Sequence, residues 1–403
     1  MSRREPFRQR SAFTLVELLV VIAIIGVLAG LSTTVVFKAL RSAKEAAITS
    51  EIAMLDSAFK AYKEQYGQYP PNMGDAAMYN TNTSVRQWRF NMHMRKFAPR
   101  SPMSYGGGGA NGTSLHEYLL ANTGNSYNYQ VSVNGSIQKL DISTLDPAEA
   151  LVFWLGGFPA PCNSSGQPLC SMKLIGFHAN PLNPFMLDPY QQANPLYFIQ
   201  SRKAKLFDFD ETRLVDNDQD GWLEYVPPGV SAPMGGTPPY VYFDAGGYTY
   251  PWQSQQIAPF GGYPAAITAT SNSGNSTMMQ NLAGGSSGSS SGGGGGSSSS
   301  SSSSGGGSSG GAAGSGWGLA VPYASVFNQG SLLPAIWINP VGIQIVSSGL
   351  DGQYSQTATL RIPTYPSGVT YSGTGYSTAG FYDPGELDNL SNFSPGELND
   401  QVP

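Results

Sequence analysis

The sequence predicts an α+β protein, in which a long N-terminal helix packs on a head with a mainly antiparallel β-sheet. Three observations carry that prediction. Residues 13–37 hold one charge, Glu17, in twenty-five positions. Ile48, Ile52, Leu55, Phe59 and Tyr62 then recur at spacings of four, three, four and three, the period of one helix face. Farther on, short apolar runs stand between Gly-, Pro- and Asn-rich turns. One long helix, then irregular chain, then strands is the order of an α+β fold rather than of alternating βαβ units.

The first element is built to meet a membrane. Residues 1–12 carry four Arg and one Glu ahead of the apolar run. Twenty-five helical residues span about 37 Å, enough for a bilayer core of about 30 Å. Basic residues before the span hold that end in the cytoplasm, so the bulk of the chain is expected outside. A secretory signal peptide has a shorter apolar core and is cut on its far side. Glu17 is the informative residue, because a carboxylate inside such a span costs a few kcal/mol and points to function.

The second half of the helix is amphipathic. Lys44, Glu45, Glu51, Asp56, Lys60 and Lys63 are read as lying mostly off the apolar stripe, and Gly67 with Pro70-Pro71 ends the helix. Residues 68–145 are Gly-, Asn- and Tyr-rich, with short helices expected near 86–97 and 114–121. Asp146-x-x-Glu149 before Ala-Leu-Val-Phe-Trp-Leu predicts a capped helix. Lys205–Phe209, Trp222–Val226, Tyr240–Phe243, Ala335–Asn339 and Gly342–Val346 read as strands. Residues 284–316 are Gly and Ser apart from Ala312 and Ala313, a composition that cannot bury apolar surface. They are expected to be a disordered loop inside a single head spanning residues 68–403.

Composition narrows the function. Only 12% of residues are charged, while Gly numbers 50, Pro 29 and Tyr 22, which suits an exported, loop-rich protein. A net charge of −5 gives no electrostatic reason to expect a nucleic-acid partner. Cys162 and Cys170 flank a Gly- and Pro-containing loop that can close as a disulfide in an oxidising compartment, the alternative being two free thiols. His93, His116 and His178 form no spacing motif and are read as ordinary core or surface residues. Outside the low-complexity Gly/Ser tract no nucleophile elbow, phosphate loop, zinc spacing or Cys/His pair is present, so the chain does not read as an enzyme. Asp208 and Asp210 alternate along an expected strand as solvent-facing acids.

Asp216-Asn217-Asp218-Gln219-Asp220-Gly221 places carboxylates at the first, third and fifth positions and Gly at the sixth, the opening of a calcium loop. Glu224 follows at the ninth position. Pro227 occupies the twelfth, where a bidentate Glu is needed, which excludes a complete EF-hand. A truncated calcium turn and a plain solvated acidic turn both fit.

Residues 12–29, Ala-Phe-Thr-Leu-Val-Glu-Leu-Leu-Val-Val-Ile-Ala-Ile-Ile-Gly-Val-Leu-Ala, resemble the cleavage and methylation motif of type IV prepilins and type II secretion pseudopilins. The resemblance implies a prepilin peptidase that removes a leader of residues 1–12 by cutting between Ala12 and Phe13 and methylates the Phe13 amine. Ala12 stands where the family usually has Gly. It also implies an N-terminal helix over residues 13–67, with the membrane span at 13–37. Through it the chain would polymerise with copies of itself and other pilin-like subunits. Glu17, fifth in the mature chain, would take a neighbour's N-terminal amine as its counter-charge.

Near the other end, residues 343–352 and 388–393 resemble the strand, turn and acidic segment that close major pseudopilins. In that family the segment binds structural calcium, which implies ligands here from the Ser348 carbonyl, Asp351 and Asp388. Residues 238–242 resemble the preceding family strand, which makes residues 245–334 an insertion between two neighbouring strands. The function implied is a structural subunit of a secretion pseudopilus. A type IV pilin for adhesion or motility, and a membrane-anchored extracellular binding protein or hydrolase, are the alternatives. The expected location is the bacterial inner membrane before assembly, with the head in the periplasm or outside.

Overall fold

The computed structural model describes residues 15–73, 83–101, 130–133, 136–140, 145–162, 165–167, 173–185, 202–217, 220–230, 237–244, 267–268, 319–320, 322–327, 334–354, 361–372, 382 and 384–401. The expected helix at 114–121 and the Gly/Ser tract at 284–316 lie outside them.

Helix α1 runs from Leu15 to Tyr66. It stops where Gly67 adopts φ +78°, and the Gly67 N–H donates to the Lys63 carbonyl at 2.7 Å. Only Gly takes that left-handed backbone at no cost, and the turn satisfies a carbonyl at the helix end. The chain divides into two compact units, Met1–Ala46 and Ala47–Pro403, so the boundary falls within α1.

In the first unit the helix presents its apolar side chains outward, with Leu15, Ile22 and Val27 all at least 60% exposed. Two of its hydroxyls are satisfied locally. Ser32 Oγ donates to the Leu28 carbonyl at 2.8 Å and Thr33 Oγ1 to the Ala29 carbonyl at 2.7 Å. Such back-bonding lets polar residues sit in an apolar helix.

The second unit buries the predicted stripe: Ile48, Ile52, Leu55, Phe59 and Tyr62 are at most 1% exposed. Helix α2, Thr83–Phe97, follows. The ribbon of β1, Gln130–Val133, and β2, Ser136–Lys139, leads to helix α3, Pro147–Gly156. The predicted capping box is present there. Asp146 Oδ1 accepts the Ala148 and Glu149 N–H groups at 2.8 and 3.0 Å, and Glu149 Oε2 accepts the Asp146 N–H at 2.8 Å. All of α3 is buried, and Trp154 Nε1 donates to the Pro71 carbonyl at 2.9 Å, tying it to the chain leaving α1.

The described residues then hold the short strands β3 Leu214–Val215, β4 Glu224–Tyr225, β5 Val241–Asp244, β6 Ile267–Thr268, β7 Leu319–Ala320, β8 Ala324–Phe327, β9 Pro334–Trp337, β10 Ile343–Ser347, β11 Arg361–Pro363 and β12 Thr370–Ser372. The last strand is β13, Leu390–Ser391. The central sheet has the order β13-β10-β5, and among the described residues the paired strands are antiparallel. Ile343 faces Asp244, Val346 faces Val241, and Ser347 faces Leu390. The chain between β5 and β10 is therefore an insertion between adjacent strands; it takes in β9 and runs over 245–342, where 245–334 was expected.

Strand alternation divides the core in two. Tyr240, Tyr242, Ile343, Ile345 and Leu390 join the main core with α1 and α3. Val241, Phe243 and Val346 face a second core with Tyr323, Ala324 and Trp337 from the insertion, and Tyr354, Tyr382 and Leu398 from the C-terminal region. Gln344 is polar yet fully buried on that side. Its Oε1 accepts the Tyr323 N–H at 2.7 Å, and its Nε2 donates to the Tyr323 and Ile338 carbonyls at 2.8 and 2.9 Å. One side chain thereby does the pairing of a missing strand.

Two expectations need correction. Lys205–Phe209 forms no strand: the Leu206 N–H bonds to the Leu155 carbonyl at 2.9 Å, and Phe209 packs edge-on to Tyr225. Its alternation serves packing rather than a ladder. Glu51 is not off the buried stripe but 6% exposed.

Candidate functional site

The N-terminal processing residues Ala12 and Phe13 lie outside the described residues. Glu17 sits in the first turn of α1, where a carboxylate complements the helix dipole. Around it Val16, Leu18 and Val20 are 69%, 59% and 48% exposed, so the charge is set in an apolar surface. The helix is long and apolar enough to cross a membrane, with a mean hydropathy of 2.7 over its most apolar stretch.

Farther along α1, Glu51 anchors the head. Arg213 grips its carboxylate with both terminal nitrogens, Nη1 to Oε2 at 2.8 Å and Nη2 to Oε1. The Tyr225 hydroxyl donates to Oε1 at 2.7 Å and the Tyr240 hydroxyl to Oε2 at 2.8 Å. Burial, followed by the Glu51 carboxylate, pushes both phenols up, so they remain donors. Arg213 also donates to the Val226 carbonyl at 2.9 Å and lies 4.4 Å from the Tyr225 ring centroid. A second buried ion pair joins Arg89 of α2 to Asp244 at the end of β5, and Asp244 also accepts the Asn72 N–H at 3.0 Å.

His93 of α2 lies among aromatic rings, 4.8 Å from Trp154 and 5.7 Å from Tyr62. Its Nε2 pairs with the Tyr62 hydroxyl and its Nδ1 with Gln68 Nε2, both at 2.7 Å. Burial, then the charges of Arg89 and Lys96, push its pKa down to about 3. His178 is also buried, with Nδ1 accepting the Asn180 N–H at 3.0 Å, and His116 lies outside the described residues.

The C-terminal turn and the later acidic segment meet. Asp388 Oδ2 accepts the Leu350 and Asp351 N–H groups at 2.8 and 2.9 Å. Asp388 Oδ1 and Ser348 Oγ are buried and take part in no hydrogen bond among the described residues. Gly349 has φ +66°, and a Cβ there would stand 2.2 Å from the Asp388 carbonyl oxygen, so this contact demands Gly. Asp351 Oδ1 accepts the Gln353 N–H at 2.8 Å. A buried carboxylate oxygen that accepts no hydrogen bond is costly, and a hard cation is the partner that suits it. Among the described residues no three His, Cys, Asp or Glu side chains gather as a metal-holding group. A calcium ion here would take its remaining oxygens from carbonyls such as that of Ser348 and from water.

The other acidic turn is organised by its own backbone. Asp216 Oδ2 accepts the Gly221 N–H and Asp220 Oδ1 the Trp222 N–H, each at 2.9 Å. Glu224 is buried and accepts Asn217 Nδ2, while Asp218 lies outside the described residues. Cys162 is buried, with its thiol pushed up by burial, and Cys170 lies outside the described residues.

Sequence reasoning placed Glu17 on the N-terminal helix and Asp351 near Asp388, and the structure has both there, but it did not reach the Glu51–Arg213 and Arg89–Asp244 pairs. Glu51 follows Ile48 by three positions and precedes Leu55 by four, so its spacing alone sets it on the buried face.

Residues 7–33 match the model of the prokaryotic N-terminal methylation motif, the signal motif of prepilins and pseudopilins. No curated protein and no solved structure matches the chain.

Proposed function

We propose, from the prepilin-type signal motif at residues 7–33, that the chain is a structural subunit of a pseudopilus in a type II secretion-like export system. The observation that carries the reading is Glu17 in an outward-facing apolar helix within that motif. The prepilin peptidase cuts after Ala12 and methylates Phe13, leaving the carboxylate fifth from a new amine. In the membrane a carboxylate is costly until a counter-charge meets it. The amine of an adjacent copy or another pilin-like subunit supplies that charge, so the pair sets axial register while the apolar surfaces pack.

The choice of a pseudopilus over an adhesive or motile pilus is supported by the C-terminal arrangement. There β10 leads into the Gly349 turn, and Asp388 binds the amides of that turn. Calcium on Asp388, Asp351 and the Ser348 carbonyl fixes the chain end to the sheet. The 216–224 turn is a second, local calcium turn. Before assembly the chain is anchored in the inner membrane with its head on the periplasmic side. The role is mechanical, not enzymatic.

The test is Glu17→Ala in the full chain, followed by membrane fractionation and cross-linking. Insertion is expected to be intact, since the span becomes more apolar, while polymer is lost. Normal polymer with Ala at position 17 overturns the counter-charge role.

A further inference from the structure

Residues 202–211 read Arg-Lys-Ala-Lys-Leu-Phe-Asp-Phe-Asp-Glu, with cations at one end, anions at the other and apolar residues between. The apolar residues turn inward: Leu206 and Phe207 pack on the main core, and Phe209 is buried within it. The charged residues turn outward, Asp208 and Asp210 being exposed and Lys203, Lys205 and Glu211 partly so.

The two ends are held at different heights on α1. Lys203 Nζ lies 5.9 Å from the Tyr66 ring centroid and 5.5 Å from that of Phe97. Arg213, just past the acidic end, grips Glu51. Fifteen helical residues separate Glu51 from Tyr66, which is about 22 Å of axial rise. The strip is a line of charge along the helix, with opposite signs at its ends.

None of Lys203, Lys205, Asp208 and Glu211 is in an ion pair among the described residues. Lys203 is the telling member. Burial depresses its ammonium, which rests on aromatic rings, with no ion-paired carboxylate among the described residues. A partly desolvated cation of that kind gains most from an anion brought by another molecule.

We propose that this strip is a head-to-head contact surface for a second copy of the same chain, in which the Lys203–Lys205 end of one head meets the Asp208–Glu211 end of the next. The inference rests on the subunit reading above. Copies anchored by their N-terminal helices in one membrane are parallel, which excludes a two-fold pairing of antiparallel strips. Parallel copies at equal height set like charge against like, whereas a stagger along the strip matches opposite ends, and the five to six residues between the centres of those ends reach at most about 20 Å. The two patches differ, so the contact is heterologous and propagates instead of closing.

The experiment uses the full chain in membranes, with head-to-head cross-linking as the readout and thermal unfolding as the control for folding. Lys203→Glu with Lys205→Glu is expected to lose the cross-linked ladder while the head still unfolds cooperatively, at a midpoint lowered only by the lost contact of Lys203 with the Tyr66 and Phe97 rings. Adding Asp208→Lys and Glu211→Lys to the same chain reverses the strip, and the ladder is expected to return. The milder Lys203→Gln with Lys205→Gln is expected to weaken the ladder and abolish its sensitivity to salt. A wild-type ladder in the two-site Glu variant, or no recovery in the folded four-site variant, overturns the contact. If the wild-type chain forms no polymer at all, the subunit reading falls first and this contact with it.

Discussion

Arg213 holds the Glu51 carboxylate through both of its terminal nitrogens, across 162 positions of sequence. The pair fastens the middle of α1 to the short helical turn before β3, and the Tyr225 and Tyr240 hydroxyls close the remaining carboxylate sites. Such a pair costs desolvation on both sides, so its net contribution is small while both partners are present. Removing one partner strands the other.

Glu51→Ala is therefore expected to destabilise the head by about 3 kcal/mol, while Glu51→Leu with Arg213→Met recovers part of that loss, the Tyr225 and Tyr240 hydroxyls still lacking the Glu51 acceptor. Urea unfolding of the detergent-extracted chain measures both. A single variant within about 0.5 kcal/mol of wild type would mean that the pair is idle.

His93 gives the head an acid limb. Its native pKa of about 3 lies below the ordinary 6.5, so the unfolded chain binds the extra proton in that window. The contribution is complete above about pH 6.5 and is lost toward about pH 3, at about 1.4 kcal/mol per pH unit. Arg89 and Lys96 oppose the charged imidazole, and neither Tyr62 nor Gln68 supplies a counter-charge. His93→Phe keeps a ring against Trp154 and Phe97 and is expected to flatten the limb. An equally steep loss of stability in the variant would assign it to carboxylates elsewhere.

Calcium is expected to stabilise the folded head, by about 2.7 kcal/mol at a hundredfold excess over its dissociation constant. Chelator then lowers the thermal midpoint, Asp351→Ala abolishes that response, and Asp218→Ala only reduces it. Gly349→Ala is expected to destabilise the head even in chelator, because its Cβ would meet the Asp388 backbone at 2.2 Å. A midpoint indifferent to chelator removes structural calcium. The reverse order of the two Asp variants moves the metal to the 216–220 turn.

What was legible in the sequence is what local physics encodes. Ile48 to Tyr62 show the helical period, Asp146 with Glu149 is a complete cap signal, and Gly67 ends α1 where its backbone must turn left-handed. The pairing of β5 with β10 was reached through family likeness at both strands, since no local signal joins segments so far apart. Glu51, Arg89 and Gln344 were missed because a polar residue reads as exposed until its distant partner is known. The run at 205–209 alternates like a strand, yet its amide partner is the end of α3.

Processing and assembly as a pilin-like subunit would fix one feature of the chain above all, its mature N-terminus. Mass spectrometry of membrane-extracted protein is expected to find an N-terminal peptide beginning at Phe13 with a methylated amine. A chain that still begins at Met1, or one cut after the apolar span, would contradict the account.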